Sequence, residues 1–258
     1  MPRALVTGAS RGIGRALVEE LAARGYEVVA TARNPETLAD LPAALRLPLD
    51  VTSDDSVAAL AETAGRIDVL VNNAAVSIAA AVEDTPAAAA LDMFDTNVIG
   101  PLRLISTFAP GMRAAGSGTV VNVSSVAGRA VFPLNGVHAA SKHALEALSE
   151  GLAIEAGRFG LRVLVIELGS VNTGMFADQP QYSSGAYAEL ERAQQEQLER
   201  AKDRPRFAQS PAEAASDIAD QIVDAAAPLR VPIGKGAAHI VAERARTGDA
   251  DWLRRFNP

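Results

Sequence analysis

Residues 135–143 read NGVHAASKH, in a chain of 258 residues with only three histidines, His138, His143 and His239. On a helix, positions four apart share a face, so the His138 imidazole and the Lys142 ammonium would stand within reach of each other. An imidazole can give or take a proton near neutral pH, and a cation beside it disfavours the charged ring. A second stretch, TGASRGIG at 7–14, spaces Gly8, Gly12 and Gly14 so that a tight turn can open a helix. The N–H groups of such a turn face outward and suit a phosphate, with Ser10, Arg11 and Ile13 as the other candidate contacts. One stretch offers a proton, and the other a place for an anion.

These residues need elements to hold them. ALVTG (4–8) reads as a buried strand leading into the glycine turn, and GRALVEELAARG (14–25) as an amphipathic helix that stops at Gly25. Strands follow at 27–31, 45–50 and 67–73, with a helix from Ser53 to Ala64 that Ser53 can cap. A long helical region covers 86–115. Next come a strand at 118–125, a helix at 138–158, a strand at 161–169, a helix at 211–226 and a strand at 229–234. Strands alternating with helices of ten or more residues imply βαβ units, and their near-continuous apolar runs imply burial on both faces. The reading is a single α/β domain over 1–258, a doubly wound parallel sheet of the Rossmann type. Residues 174–207 break the rhythm with a turn-rich start and a highly charged helix, where a substrate lid would sit.

Composition narrows the chemistry. With no cysteine and no paired-histidine spacing, a metal site is not expected. The net charge of −7 and dispersed basic residues speak against nucleic acid and anionic membranes as partners. Apolar runs too short to span a bilayer, and an N-terminus that enters a strand at once, make a cytoplasmic protein with a small-molecule ligand the expectation. The second strand ends in Thr31, Ala32 and Arg33, with no acid to hold a ribose 2′-hydroxyl. Arg33 and Arg11 would instead favour a 2′-phosphate, so NADP(H) is the expected dinucleotide.

Taken in order, these motifs resemble the short-chain dehydrogenase/reductase family over almost the whole chain. TGASRGIG resembles its glycine turn. LDV (49–51) is similar to its adenine contact, which puts Asp50 and Val51 beside the base. NNAA (72–75), with Asn73 and Ala74, is similar to its N-N-A-G, and Asn97 falls at its helix asparagine. VNVSS (121–125) resembles its serine strand, with Ser125 at the catalytic serine. ELGSVNT (167–173), with Val171 and Thr173, resembles the loop after its sixth strand. The departures are Ala75 for glycine, Leu168 for proline, and His138 where the family has the tyrosine of Y-x-x-x-K.

The resemblance implies hydride transfer at nicotinamide. Lys142 would hold the ribose, Ser125 would orient a carbonyl, and Asn97 would help hold a relay water. A homodimer or homotetramer is implied too. Three functions are consistent with His138 in the proton-donor position. The first is an NADP(H)-dependent oxidoreductase acting on a small carbonyl or alcohol. The second is an imine reductase, whose substrate needs no strong acid. The third is a catalytically impaired NADP-binding protein, natural or substituted. Phe132, Leu134, Met175 and Phe176 fit an apolar pocket and core packing equally well, and Tyr182 and Tyr187 of the lid hint at a substitute hydroxyl.

Overall fold

In the computed structural model, residues 1–175, 179–202 and 208–256 are described. Strands β1 (Arg3–Val6), β2 (Glu27–Ala32), β3 (Leu45–Pro48) and β4 (Val69–Asn72) are followed by the two-residue β5 (Ala79–Ala80). Strands β6 (Gly118–Val123), β7 (Leu161–Leu168), β8 (Gln181–Tyr182) and β9 (Arg230–Ile233) complete the set. The main sheet runs β3-β2-β1-β4-β6-β7-β9, and every neighbouring pair is parallel. Its order reverses between β1 and β4, which opens a crevice at the carboxyl ends of those strands.

Helices cover both faces, as buried strands require. On one face α1 (Gly12–Ala23) and α7 (Pro211–Val223) bury Leu17, Leu21, Ile218 and Ile222 with Val6, Val28 and Ile166 of the sheet. On the other, α2 (Asp54–Ala64) and α4 (Gly100–Ala115) bury Leu60, Leu104 and Phe108 with Leu5, Val29 and Leu70. Ser53 caps α2 by accepting from the Ser56 N–H, and a Ser210–Glu213 capping box starts α7. The long helix α5 (Gly136–Ala156) lies against β7. A buried ladder joins it to the sheet: Asn72 Nδ2 donates to Asn122 Oδ1 at 2.8 Å, and Asn122 Nδ2 to Ser149 Oγ at 2.8 Å.

The helical region 86–115 is not one regular helix. Between α3 (Ala87–Phe94) and α4 the chain widens to a π turn at Asp95–Ile99, which carries Asn97. The charged helix of the 174–207 segment is α6 (Ala188–Lys202), and β8 of the same segment pairs with β5. Two helices that the polar C-terminal sequence did not announce, α8 (Ala237–Arg246) and α9 (Asp249–Arg254), close the chain. Trp252 of α9 donates from Nε1 to Val131 O at 3.1 Å and stacks edge-on with Phe132 and Phe256. Phe132 therefore anchors the loop before α5 rather than lining a pocket. Leu134 in that loop is buried too, in the left-handed region at φ 58°, with its carbonyl accepting from Ala80 N–H at 3.1 Å. Among the described residues no helix is long and apolar enough to cross a membrane.

Candidate active site

The crevice holds a cavity of about 360 Å³, a volume suited to small-molecule ligands. Its lining joins the glycine turn to the His138 helix. Every candidate site residue lines it except Gly14 and Asn97, which stand behind the wall and shape it.

At one end, β1 delivers the chain into the turn. Gly8 and Gly12 take φ of +66° and +59°, which side chains resist, and a Cβ on Gly8 would sit 2.9 Å from Ala74 Cα. Thr7, whose role the sequence did not disclose, pins this approach. Its Oγ1 accepts from the N–H groups of Asn73 at 2.9 Å and Ala74 at 3.0 Å. The Asn73 amide in turn donates to Thr7 O at 2.8 Å and Gly8 O at 3.2 Å. Where α2 and α7 have side-chain caps, α1 has none, and no acid lies in its first turn. Its N–H donors and positive dipole end are thus left toward the cavity, and the cradle fits a dinucleotide pyrophosphate.

Arg11 and Arg33 stand exposed at the cavity rim. Asp50 follows β3, and its Oδ1 accepts from the Thr52 N–H at 3.0 Å and hydroxyl at 2.7 Å. Those bonds hold its carboxyl below the usual range, so it is an acceptor at any physiological pH. Val171 and Thr173 close the opposite side, and a Cβ on Gly12 would lie 3.3 Å from that of Thr173.

At the other end, β6 and the first turns of α5 bring Ser125, His138 and Lys142 together. Lys142 is 4% exposed and donates from Nζ to Val123 O at 2.8 Å. Burial pulls its pKa down to about 8, against a rise from Glu146. His138 is 6% exposed, and its Nδ1 is buried without a partner. Burial first and the Lys142 ammonium second push the ring to about 4, despite a hydrogen bond with the Val76 backbone. The ring is therefore neutral at physiological pH. Because the folded pKa lies below the ordinary 6.5, His138 contributes stability above pH 6.5 that is lost as pH falls toward 4. Between pH 7 and 4.5 the loss should reach about 2–3 kcal/mol, and His138→Gln should be spared it in urea unfolding.

Ser125 does not bond His138. Its Oγ accepts from Ala127 N–H at 3.1 Å and donates to Leu168 O at 3.4 Å, at the start of a short helical turn, Val126–Gly128. Leu168, at the family's proline position, ends β7 in register with Ile233. Asn97 uses its whole amide: Oδ1 accepts from Val76 N–H at 2.9 Å, and Nδ2 donates to Val76 O at 2.9 Å and Ser141 Oγ at 3.1 Å. A π turn is the device that aims this amide inward. Neighbouring Ser124 and Thr96, which the sequence did not single out, also line the cavity.

Met175 lines the cavity, whereas Phe176 lies outside the described residues. Tyr182 packs on Ile78, Ala80 and Met93, and Tyr187 hydrogen-bonds Glu83, so neither hydroxyl serves the cavity. His143 Nδ1 lies 2.9 Å from Ala139 O, and exposed His239 lies 3.7 Å from Glu243. Among the described residues, no cluster of three or more His, Cys, Asp or Glu could hold a metal ion.

A family model described as short chain dehydrogenase matches residues 2–183. The chain belongs to the short-chain dehydrogenase family. Short-chain dehydrogenase PC-15 of Penicillium crustosum is 41% identical over 181 residues, covering 67% of this chain and 66% of that relative. The match thus spans just under two thirds of the relative's length. A short-chain dehydrogenase structure from Streptomyces avermitilis aligns at TM-score 0.83 and 36% identity, covering 100% of this chain and 98% of that one. Another, from Burkholderia cenocepacia J2315 in complex with NADP, aligns at TM-score 0.81 and 27% identity, covering 100% and 98%. In this short-chain dehydrogenase, Ser125, His138 and Lys142 line one cavity, with Asn97 behind its wall.

Proposed function

We propose that the protein is an NADP(H)-dependent oxidoreductase that passes hydride between nicotinamide and a small carbonyl or alcohol, with His138 in the proton-donor position. The observation that carries this is the single cavity running from the uncapped N-terminus of α1 to Ser125, His138 and Lys142. The cofactor, when bound, supplies or takes the hydride. Gly8, Ser10, Gly12, Ile13, Asn73 and Ala74 cradle its pyrophosphate side, while Asp50 and Val51 flank the adenine. Lys142 holds the ribose, and Val171 and Thr173 cover the nicotinamide end. Ser125 orients the substrate oxygen, Asn97 holds the Val76 backbone beside His138, and the 174–207 segment acts as the lid.

In the reducing direction, the oxygen must gain a proton as the carbon gains hydride. A neutral imidazole gives that proton poorly, so turnover on ketones and aldehydes is slow unless water shares the task. The depressed His138 pKa favours a second reading for the same reason: an imine or iminium accepts hydride without a strong acid at this position. NADPH oxidation over ketones, aldehydes and cyclic imines separates the two, compared with His138→Phe. Loss of carbonyl turnover in that variant supports the first reading, and retained imine turnover supports the second. Absence of turnover on all three classes by the unaltered chain would overturn both.

Specificity for the 2′-phosphate rests on Arg11 and Arg33. The double variant Arg11→Ala/Arg33→Ala should weaken NADPH binding about 10–100-fold and NADH binding less than about 3-fold by titration calorimetry. Equal affinity of the unaltered chain for the two nucleotides would refute the assignment. We also infer a homodimer or homotetramer built on α3, α4 and α5, where Leu91, Leu102 and Ile154 stand 71%, 40% and 75% exposed. Sedimentation velocity should show an oligomer, and Leu102→Glu/Ile154→Glu a smaller species.

A further inference from the structure

Behind the cavity wall lies a cluster of ionisable side chains that the chemistry above does not use. Glu146 follows Lys142 by one turn of α5 and is 4% exposed, and Glu167 on β7 is 1% exposed. Arg230 of β9 donates from Nε to Glu146 Oε2 at 2.9 Å and from a terminal nitrogen to Glu150 at 2.6 Å. Arg129, just past the turn after Ser125, stands 3.6 Å from Glu167 Oε1. Gly128 makes room for the arrangement: a Cβ there would lie 2.8 Å from Ser124 Oγ and 3.0 Å from Glu146 Oε1. Glu146 Oε1 and Ser124 Oγ are both buried with no hydrogen-bond partner.

This arrangement bears on Lys142. A buried ammonium bonded only to a neutral carbonyl is costly unless a carboxylate faces it. On α5 the charged or titratable neighbours are His138, Glu146 and Glu150. Around Glu146, Glu167 acts from β7 and Arg230 pairs with it from β9, while Arg129 of the turn after β6 faces Glu167. Burial first and then Glu146 raise the Glu167 carboxyl, which favours its neutral acid. Glu146 is then the carboxylate left for Lys142, with Arg230 competing for it. We propose that Glu146 is a positioning residue that keeps the buried Lys142 ammonium charged for the dinucleotide ribose, with Arg230 and Glu150 setting how much of its charge Lys142 receives. The proposal rests on the dinucleotide reading above.

The test is the NADPH dissociation constant between pH 7 and 10, measured by the emission of the bound nucleotide. In the unaltered protein, affinity should fall as pH rises through about 8, where Lys142 loses its proton. In Glu146→Gln that fall should begin a pH unit or more lower, whereas Glu146→Asp keeps it near the original pH. Glu167→Gln, which mimics the neutral acid, should leave it in place, and Lys142→Met should remove it. Should Glu146→Gln not fold, Arg230→Met provides the converse: Glu146 then serves Lys142 alone, and the fall moves to higher pH. A purely structural Glu146 would weaken binding equally at every pH. An unshifted fall in folded Glu146→Gln, or in Arg230→Met, overturns the proposal. Failure to bind NADPH at any pH in the unaltered protein would instead overturn the dinucleotide reading, and this role with it.

Discussion

Replacing His138 by tyrosine should raise carbonyl reduction about 10²–10⁴-fold, the span that a well-matched general acid supplies. The reasoning starts from the surroundings, which are retained. Ser125 is still placed beside Leu168 O, the π turn still aims Asn97 at Val76, and Lys142 Nζ still sits at the end of β6. Those groups suit a phenol better than an imidazole. A cation one turn away lowers a phenol toward neutral pH and makes it a better acid, whereas burial, with that cation adding to it, holds the His138 imidazole at about 4 and uncharged. The phenol oxygen also extends further from the backbone than the ring nitrogens of histidine, so it reaches a substrate oxygen without an intervening water. Initial rates of NADPH oxidation with a ketone panel measure the effect, and the variant's melting temperature checks that the larger ring is accommodated. A gain restricted to the tyrosine form would mark the unaltered chain as a nucleotide-binding protein. A fall in rate on tyrosine substitution would show that the histidine belongs to a working mechanism with another substrate, imines first.

The order of elements, and the short stretches that come to share one cavity, were legible because both depend on local patterns. The strand periodicity, the glycine turn and the His138–Lys142 spacing are all contained in short windows, and the structure gathers them around one cavity. What was not legible depends on contacts far apart in the chain. Phe132 reads equally as a pocket or a core residue until Trp252, 120 positions later, is found packed on it. The acids Glu146 and Glu167 carry no sign of burial in the short stretches around them. Only the pairing of β7 with β9, which brings Arg230 over α5, turns them into a buried cluster. The π turn at Asn97 was invisible for a different reason. A one-residue widening of a helix changes hydrogen-bond register without changing the apolar period. Thr7 was within the motif that was read, but its hydroxyl bonds Asn73 and Ala74, residues that only the β1–β4 pairing brings alongside.

That pairing sets up the second large effect, at Gly14. Gly14 does not line the cavity, and its φ is not positive, so neither ligand contact nor backbone conformation explains the glycine. Space does. A Cβ there would lie 2.3 Å from Gly8 O and 2.4 Å from Asn73 Nδ2, distances at which one neighbour must move. The Asn73 amide is the softer of the two, but it holds Thr7 O and Gly8 O and so fixes the turn's approach to β4. Displacing it breaks both bonds and leaves part-buried polar groups short of partners, at about 1–3 kcal/mol apiece. Alternatively α1 slides outward, and its uncapped N–H groups leave the phosphate position. Either response strikes the anion cradle directly. Gly14→Ala should therefore weaken NADPH binding about 100-fold and lower the melting temperature by several degrees, with titration calorimetry and thermal unfolding as the two readouts. Asn73→Ala removes the same two bonds without the clash, and should reproduce most of the binding loss. Comparing the two separates a cradle displaced by steric overlap from one that has lost its clamp. If Gly14→Ala binds NADPH as the unaltered chain does, the turn does not hold the pyrophosphate.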